Sequence, residues 1–186
     1  MAEYLKGKLS KYFKEFEGRS AQELYRDLNI VGPSYIRIEA DEVTYNLHII
    51  LRYNIERLLL SGDLDFSDLP DYWNEQMSDL LGVRPKSLGQ GVLQDVHWSM
   101  GLIGYFPTYT LGNIVSAELW DVFLDEHTDW EAQVRSGDFS QYMSWFKEHV
   151  WRYGSFHKPR TLLKNITGEN WDSSSLIKYF ERKYIS

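Results

Sequence analysis

The segment ADEVTYNLHIILRYNIERLLLS, Ala40–Ser61, holds neither glycine nor proline. It spaces Val43, Leu47, Ile50, Leu51, Ile55, Leu58 and Leu59 at the short intervals that lay an apolar stripe along a helix. A long α-helix is predicted here, with Asp41 and Glu42 at the end where the helix dipole favours negative charge. The same periodicity recurs on both sides. Tyr4, Leu5, Leu9, Tyr12, Phe13 and Phe16 predict a helix over Ala2–Phe16, ended by Gly18. Ser20 with Glu23 three residues on has the pattern of a capping box for a short helix to Leu28.

Downstream, Asp68 or Asp71 can cap a helix through Trp73, Met77 and Leu81. Pro107 suits the first turn of a helix running to Glu126. Further helices are expected over Trp130–Arg135, over Phe139–Tyr153 with Phe139, Tyr142, Met143, Phe146 and Val150 on one face, and from Ser173 to Tyr184. The stretches NIVGPSYIRIEAD and GVRPKSLGQG read as connectors. No repeat, low-complexity run or linker interrupts the pattern. The expectation is one all-α domain over residues 1–186.

Composition narrows the function. The chain has 186 residues and a net charge of −7, with its basic residues scattered among acids. Nucleic-acid binding needs a concentrated basic footprint, so a nucleic-acid partner is not expected. There is no cysteine, which excludes disulfides and thiolate metal sites. The N-terminus MAEYLKGKLS shows no apolar core of a signal peptide, and no apolar run is long enough to span a bilayer. A soluble intracellular protein is the expectation.

Chemistry is sparse. The five histidines are His48, His97, His127, His149 and His157, and no two have the four-residue spacing of the helical zinc motif. His127 and Glu131 are four apart, but a helix end accounts for them. Ser99 lies two residues from His97, a spacing that rarely forms a nucleophile–base pair. The segment GVLQDVHWSMGLIGYFPTYTLGN, Gly91–Asn113, is different, because Asp95 is its single charged residue. His97, Tyr105 and Tyr109 are hydrogen-bonding groups that stay neutral near pH 7, as donors to a developing oxyanion must. Aromatic packing around glycine is the alternative. Arg37, beside Glu39, Asp41 and Glu42, either pairs locally or offers a fork for a substrate carboxylate.

Two of these stretches carry a resemblance. IRIEADEVTYNLHIILR at Ile36–Arg52 holds I-R-x-x-A-D, and GVLQDVHW at Gly91–Trp98 holds G-x-x-Q-D-x-H-W. GYFPTYTLGN at Gly104–Asn113, the elements GDL, DLPDYWNEQM and LGVRP between Gly62 and Pro85, and TGE at Thr167–Glu169 agree as well. From about Lys11 onward the chain resembles the C-terminal portion of the thermostable (Taq-type) metallocarboxypeptidases. The resemblance implies an all-helical, homodimeric, cytoplasmic enzyme that removes single residues from peptide C-termini. It implies a zinc or cobalt ion held by H-E-x-x-H and a downstream Glu, with the motif's Glu as general base.

That motif is not in this chain, nor are the family's H-P-F and D-x-R-x-T segments. No metal ligand is therefore assigned. By position, His97, Tyr105 and Tyr109 become the catalytic candidates for stabilising a tetrahedral intermediate, Tyr109 foremost. Arg37 becomes the candidate for the peptide carboxylate, with Gln94 and Asp95 orienting His97. Gly104 and Gly112 are expected to allow close backbone packing. Two readings follow: the substrate-binding part of a carboxypeptidase, inactive alone and completed by a separate metal-binding half, or a non-catalytic peptide-binding or scaffolding domain. Exposed apolar surface would in either case favour a homo-oligomer.

Overall fold

A computed structural model describes residues 1–168 and 171–185. Among them are nine α-helices and no strand. The helices are α1 (Ala2–Leu9), α2 (Ala21–Leu28), α3 (Tyr45–Ser61), α4 (Leu69–Leu81), α5 (Pro107–Glu126), α6 (Trp130–Ser136), α7 (Ser140–His149), α8 (Pro159–Thr167) and α9 (Ser174–Tyr184). The all-α class predicted from periodicity is the class observed. None of these helices is long and apolar enough to cross a membrane. Within the single domain expected over 1–186, contacts gather into two compact units, Ile30–Gly112 and Met1–Asn29 with Asn113–Ser186.

The Ile30–Gly112 unit is built on α3 and α4. Leu51 and Ile55 of α3 meet Leu69, Trp73, Met77 and Leu81 of α4, four residues spaced by fours and therefore on one face. Val92 and Trp98 close over this cluster from the following loop. Gly62 ends α3 in the left-handed conformation at φ 80°, and the Asp63 amide donates back to the Leu58 carbonyl at 3.0 Å. The helix begins later than the Ala40 start predicted. Asp41 accepts hydrogen bonds from the Val43 and Thr44 amides, both at 2.9 Å, and holds Glu42–Thr44 as a turn before Tyr45. Ile50 lies outside the predicted face and is exposed.

In the other unit, Leu119 and Phe123 of α5, Trp145 of α7 and Leu163 of α8 form a buried cluster, ringed by Trp120, Trp130, Tyr142, Phe146 and Trp171. α5 keeps both of its predicted ends. α2 has the predicted capping box: the Glu23 amide donates to Ser20 Oγ at 3.1 Å, and the Ser20 amide donates to Glu23 Oε2 at 2.7 Å. α1 is shorter than expected. Ser10 Oγ donates to the Lys6 carbonyl at 2.8 Å and to the Phe16 carbonyl at 3.1 Å, folding the chain back on itself, and Phe13 turns extended. α7 stops at His149 because Val150 leaves helical angles. A short 3₁₀ turn, Trp151–Tyr153, follows, and Gly154 takes φ 52°. On α7 Met143 is exposed and Trp145 is the buried residue. α8 has no counterpart in the sequence reading. The Glu169 end of the TGE stretch lies outside the described residues.

Gly137 shows a close approach. It ends α6 at φ 82°, and a side-chain carbon added there would collide with the Tyr4 ring, which itself packs edge-on against Phe139. Gly137→Ala adds left-handed strain and forces Tyr4 aside. The expected loss is about 1–3 kcal/mol, read as a lower denaturant midpoint.

Candidate functional site

The candidate residues converge within the Ile30–Gly112 unit. They come from the connector before α3, from α3 itself, from the loop after α4 and from the first turn of α5. Asp95 is the centre. Arg37 sets Nε at 3.0 Å and Nη2 at 2.7 Å from Asp95 Oδ1. Arg52 sets Nε at 2.6 Å and Nη2 at 2.5 Å from Asp95 Oδ2. The remaining donors are also placed: Arg37 Nη1 on Tyr45 Oη at 3.0 Å, Arg52 Nη1 on the His48 carbonyl at 2.6 Å, and Arg52 Nη2 on Gln94 Oε1 at 2.9 Å. Gln94 Oε1 also accepts from the Arg37 amide at 2.9 Å, and its Nε2 donates to the Tyr35 and Gln90 carbonyls, both at 2.9 Å. The amide of Gln94 thus ties the connector to the loop.

This cluster is dry. The Arg52 side chain has no exposure, and those of Arg37 and Asp95 are 7% and 9% exposed. Burial favours neutral forms, so the ion cluster exists because each charge is paired and hydrogen-bonded. Burial pulls the Arg52 guanidinium down to about 10, against the support of Asp95. For Arg37 burial pulls the same way, but Asp95 and Tyr45 outweigh it and raise the value. Burial alone would raise the Asp95 carboxyl, but the two guanidiniums hold it below the usual carboxylate range. Aromatic faces complete the shell, with the Arg52 guanidinium 4.7 Å from the Trp73 ring centre and that of Arg37 5.3 Å from Tyr109.

On this base stand His97, Tyr105 and Tyr109. His97 Nε2 and Tyr109 Oη are 3.0 Å apart. Tyr105 meets Tyr109 edge-on with ring centres 5.5 Å apart, and its ring lies 5.8 Å from that of His97. The turn that opens α5 sets Tyr105 and Tyr109 side by side, with the Thr108 amide donating to the Tyr105 carbonyl and the Tyr109 amide to the Phe106 carbonyl, both at 3.1 Å. Phe106, buried between them in sequence, packs under His97 at 4.4 Å. Burial raises the Tyr109 phenol above its usual value, which already leaves it protonated at neutral pH. His97 Nδ1 faces Asp95 Oδ1 at 3.9 Å and has no hydrogen-bond partner.

The structure therefore brings His97, Tyr105, Tyr109, Arg37, Gln94 and Asp95 into one place. The Arg37 fork expected for a substrate carboxylate is taken up by Asp95. Gln94 touches Arg37 and Arg52, and Asp95 is the residue that faces His97. Gly104 and Gly112 do not serve close packing, because the space a side-chain carbon would enter is open at both. Gly104 contributes through its φ of 78°. Elsewhere, His127 stacks on Phe123 and its Nδ1 lies 3.1 Å from the Phe123 carbonyl, while Glu131 pairs with Arg135. Ser99 Oγ donates to the Val96 carbonyl. Among the described residues no group of three or more His, Cys, Asp or Glu side chains is placed to hold a metal ion.

Sequence reasoning gave no role to Arg52, His48, Tyr45 or Glu56. Glu56 accepts from Trp98 Nε1 at 2.8 Å. A signal was present. His48, Arg52 and Glu56 recur at four-residue intervals on the inner side of an apolar helix, and all three are buried. Polar residues placed so regularly toward a core need buried partners.

His48 makes stability pH-dependent. It is fully buried, and both ring nitrogens lack partners. Burial, aided by Arg52 and Arg37, lowers it from 6.5 to about 4. The unfolded chain therefore binds a proton before the folded chain does. This stabilising contribution is full above pH 6.5 and is lost as pH falls toward about 4. The loss is on the order of 3 kcal/mol. Denaturant midpoints should fall across that window, and His48→Leu should flatten the fall.

The family described as carboxypeptidase Taq (M32) metallopeptidase matches residues 2–184. Thermostable carboxypeptidase 1 of Pyrococcus furiosus is 43% identical over 164 residues, which are 88% of this chain and 33% of that protein. The solved structure of Pyrococcus furiosus carboxypeptidase superposes with TM-score 0.95 at 38% identity, over 99% of this chain and 38% of that one. Trypanosoma cruzi metallocarboxypeptidase 1 gives 0.94 at 36% identity, over 100% and 39%. The chain spans about a third of the length of the curated relatives it matches. It belongs to the carboxypeptidase Taq (M32) metallopeptidase family.

Proposed function

We propose that, as a member of this family, the chain supplies the substrate-binding and transition-state-stabilising side of a metal-dependent carboxypeptidase and is inactive alone. The observation that carries the reading is the His97–Tyr109 pair at 3.0 Å, with Tyr105 against it, held over a buried ion cluster. In peptide hydrolysis the scissile carbonyl oxygen gains negative charge as water adds to the carbon. Neutral donors whose heavy atoms are held in place beforehand stabilise that oxygen, and only a hydroxyl hydrogen has to turn toward it. Tyr109 is the foremost donor in this reading, because its hydroxyl is held 3.0 Å from His97 Nε2. Tyr105, half-exposed, is placed to meet the substrate beside it.

Arg37, Gln94 and Asp95 act from behind. Two guanidiniums against one carboxylate leave one positive charge in the Arg37–Asp95–Arg52 cluster. That charge favours the carboxylate of a peptide C-terminus through the local field, without a free fork. Among the described residues no group is placed to hold a metal ion. In this reading the zinc or cobalt of a complete enzyme is bound by a complementary half of the fold. Leu88, Leu93, Val96, Met100 and Ile103 are exposed on the loop that carries His97. An apolar surface of this kind suits cover by that half, or by a second copy of the chain.

The test is hydrolysis of a blocked dipeptide and a longer peptide with zinc or cobalt. The chain is assayed alone and mixed with a separately expressed metal-binding half. Activity only in the mixture supports the proposal. Metal-dependent release of C-terminal residues by the chain alone overturns its inactivity. Silence in both, with peptide binding by the chain alone, identifies a non-catalytic peptide-binding domain instead.

A further inference from the structure

We infer that Arg52 is a positioning residue for His97, acting through Asp95, and that the cluster fixes His97 as its Nδ1–H tautomer with Nε2 accepting from Tyr109. The inference rests on the reading that His97 and Tyr109 face the substrate. A histidine's tautomer is set by what each nitrogen meets. His97 Nδ1 is buried without a partner, and the group it faces is Asp95 Oδ1 at 3.9 Å. A bare Nδ1 lone pair 3.9 Å from a carboxylate oxygen is repelled by it, whereas an Nδ1–H is attracted. With the proton on Nδ1, Nε2 carries the lone pair, and Tyr109 donates to it across 3.0 Å. The resting site thus holds the Tyr109 hydrogen on His97, and an incoming substrate oxyanion takes it over by rotation of the hydroxyl.

Arg52 controls where Asp95 points. Arg37 places both Nε and Nη2 on the single oxygen Oδ1, because Arg52 occupies Oδ2. A guanidinium and a carboxylate left to themselves prefer a two-by-two fork. Without Arg52 the carboxylate swivels into that fork with Arg37, and Oδ1 leaves its place opposite Nδ1. Arg52 cannot swivel with it, since its nitrogens are also fixed by Gln94 and the His48 carbonyl.

The test is the ring ¹⁵N spectrum of His97 in the labelled chain at neutral pH, assigned with His97→Gln. Wild type should show Nδ1–H in roughly tenfold excess or more, which takes only ~1.4 kcal/mol. Arg52→Met should bring the two tautomers toward equal population, and Arg52→Lys, which restores a cation near Oδ2, should lie between. Dominant Nε2–H in wild type overturns the inference. So does a wild-type ratio in folded Arg52→Met, or in Arg52→Lys if the Met variant does not fold. The spectrum needs neither metal nor peptide, so it can fail while the carboxypeptidase reading stands, and the mixing assay can fail while the spectrum holds.

Discussion

Replacing Asp95 by alanine should cost about 3–5 kcal/mol of folding stability, because it leaves two guanidiniums buried together with no counter-charge. Arg52 has no exposure and Arg37 is 6% exposed, so neither can swing into water without opening the Ile30–Gly112 unit. Both then repel each other in a dry site. The Trp73 and Phe106 rings over Arg52 offset a small part of this. A domain is stable by only ~5–15 kcal/mol, so the loss is a large fraction of the total. Urea unfolding followed by far-ultraviolet circular dichroism reads the loss. A midpoint within error of wild type would mean that the ion cluster is not buried as described.

Phe123→Ala should cost about 3–5 kcal/mol in the other unit. Phe123 is 1% exposed and touches Trp120, His127, Tyr142 and Trp145, so its removal leaves a cavity walled by rigid rings. Rings cannot collapse into a void as flexible chains can, which places the loss high in the range for such substitutions. Tyr142 and Trp145 are both on α7, so loosening there should also appear as faster amide exchange in Ser140–His149. An unchanged denaturant midpoint would contradict the assignment of this cluster as the unit's core.

The helices were legible where a long apolar stripe met a strong boundary signal. α5, α2 and α9 have such signals in Pro107, the Ser20–Glu23 box and Ser173. The sequence reading went astray where a polar side chain decided the backbone locally. Ser10 closes α1 by bonding to two carbonyls, one of them six residues ahead, and no periodicity reports that. α8, nine residues long, starts after Lys158 with no side-chain cap, whereas the eight-residue α2 is announced by its Ser20–Glu23 box.

In the site, the motif residues were legible and their partners were not. His97 and the tyrosines stand out because their stretch has almost no charge. Arg37 was visible as a cation, but its use as a partner of Asp95 depends on a contact across 58 residues of chain. Arg52 completes that contact, and only its four-residue register with His48 and Glu56 marks it beforehand.

The most direct measurement is Tyr109→Phe in the metal-loaded mixture of this chain with the separately expressed metal-binding half proposed to complete it. The substitution removes one hydroxyl and keeps the ring that packs on Tyr45, Tyr105 and His97. If Tyr109 donates to the developing oxyanion, kcat for a blocked dipeptide should fall roughly 100- to 1,000-fold with KM little changed. An unchanged kcat, or a mixture with no activity to lose, would contradict the claim that this chain provides the oxyanion-stabilising side of a carboxypeptidase.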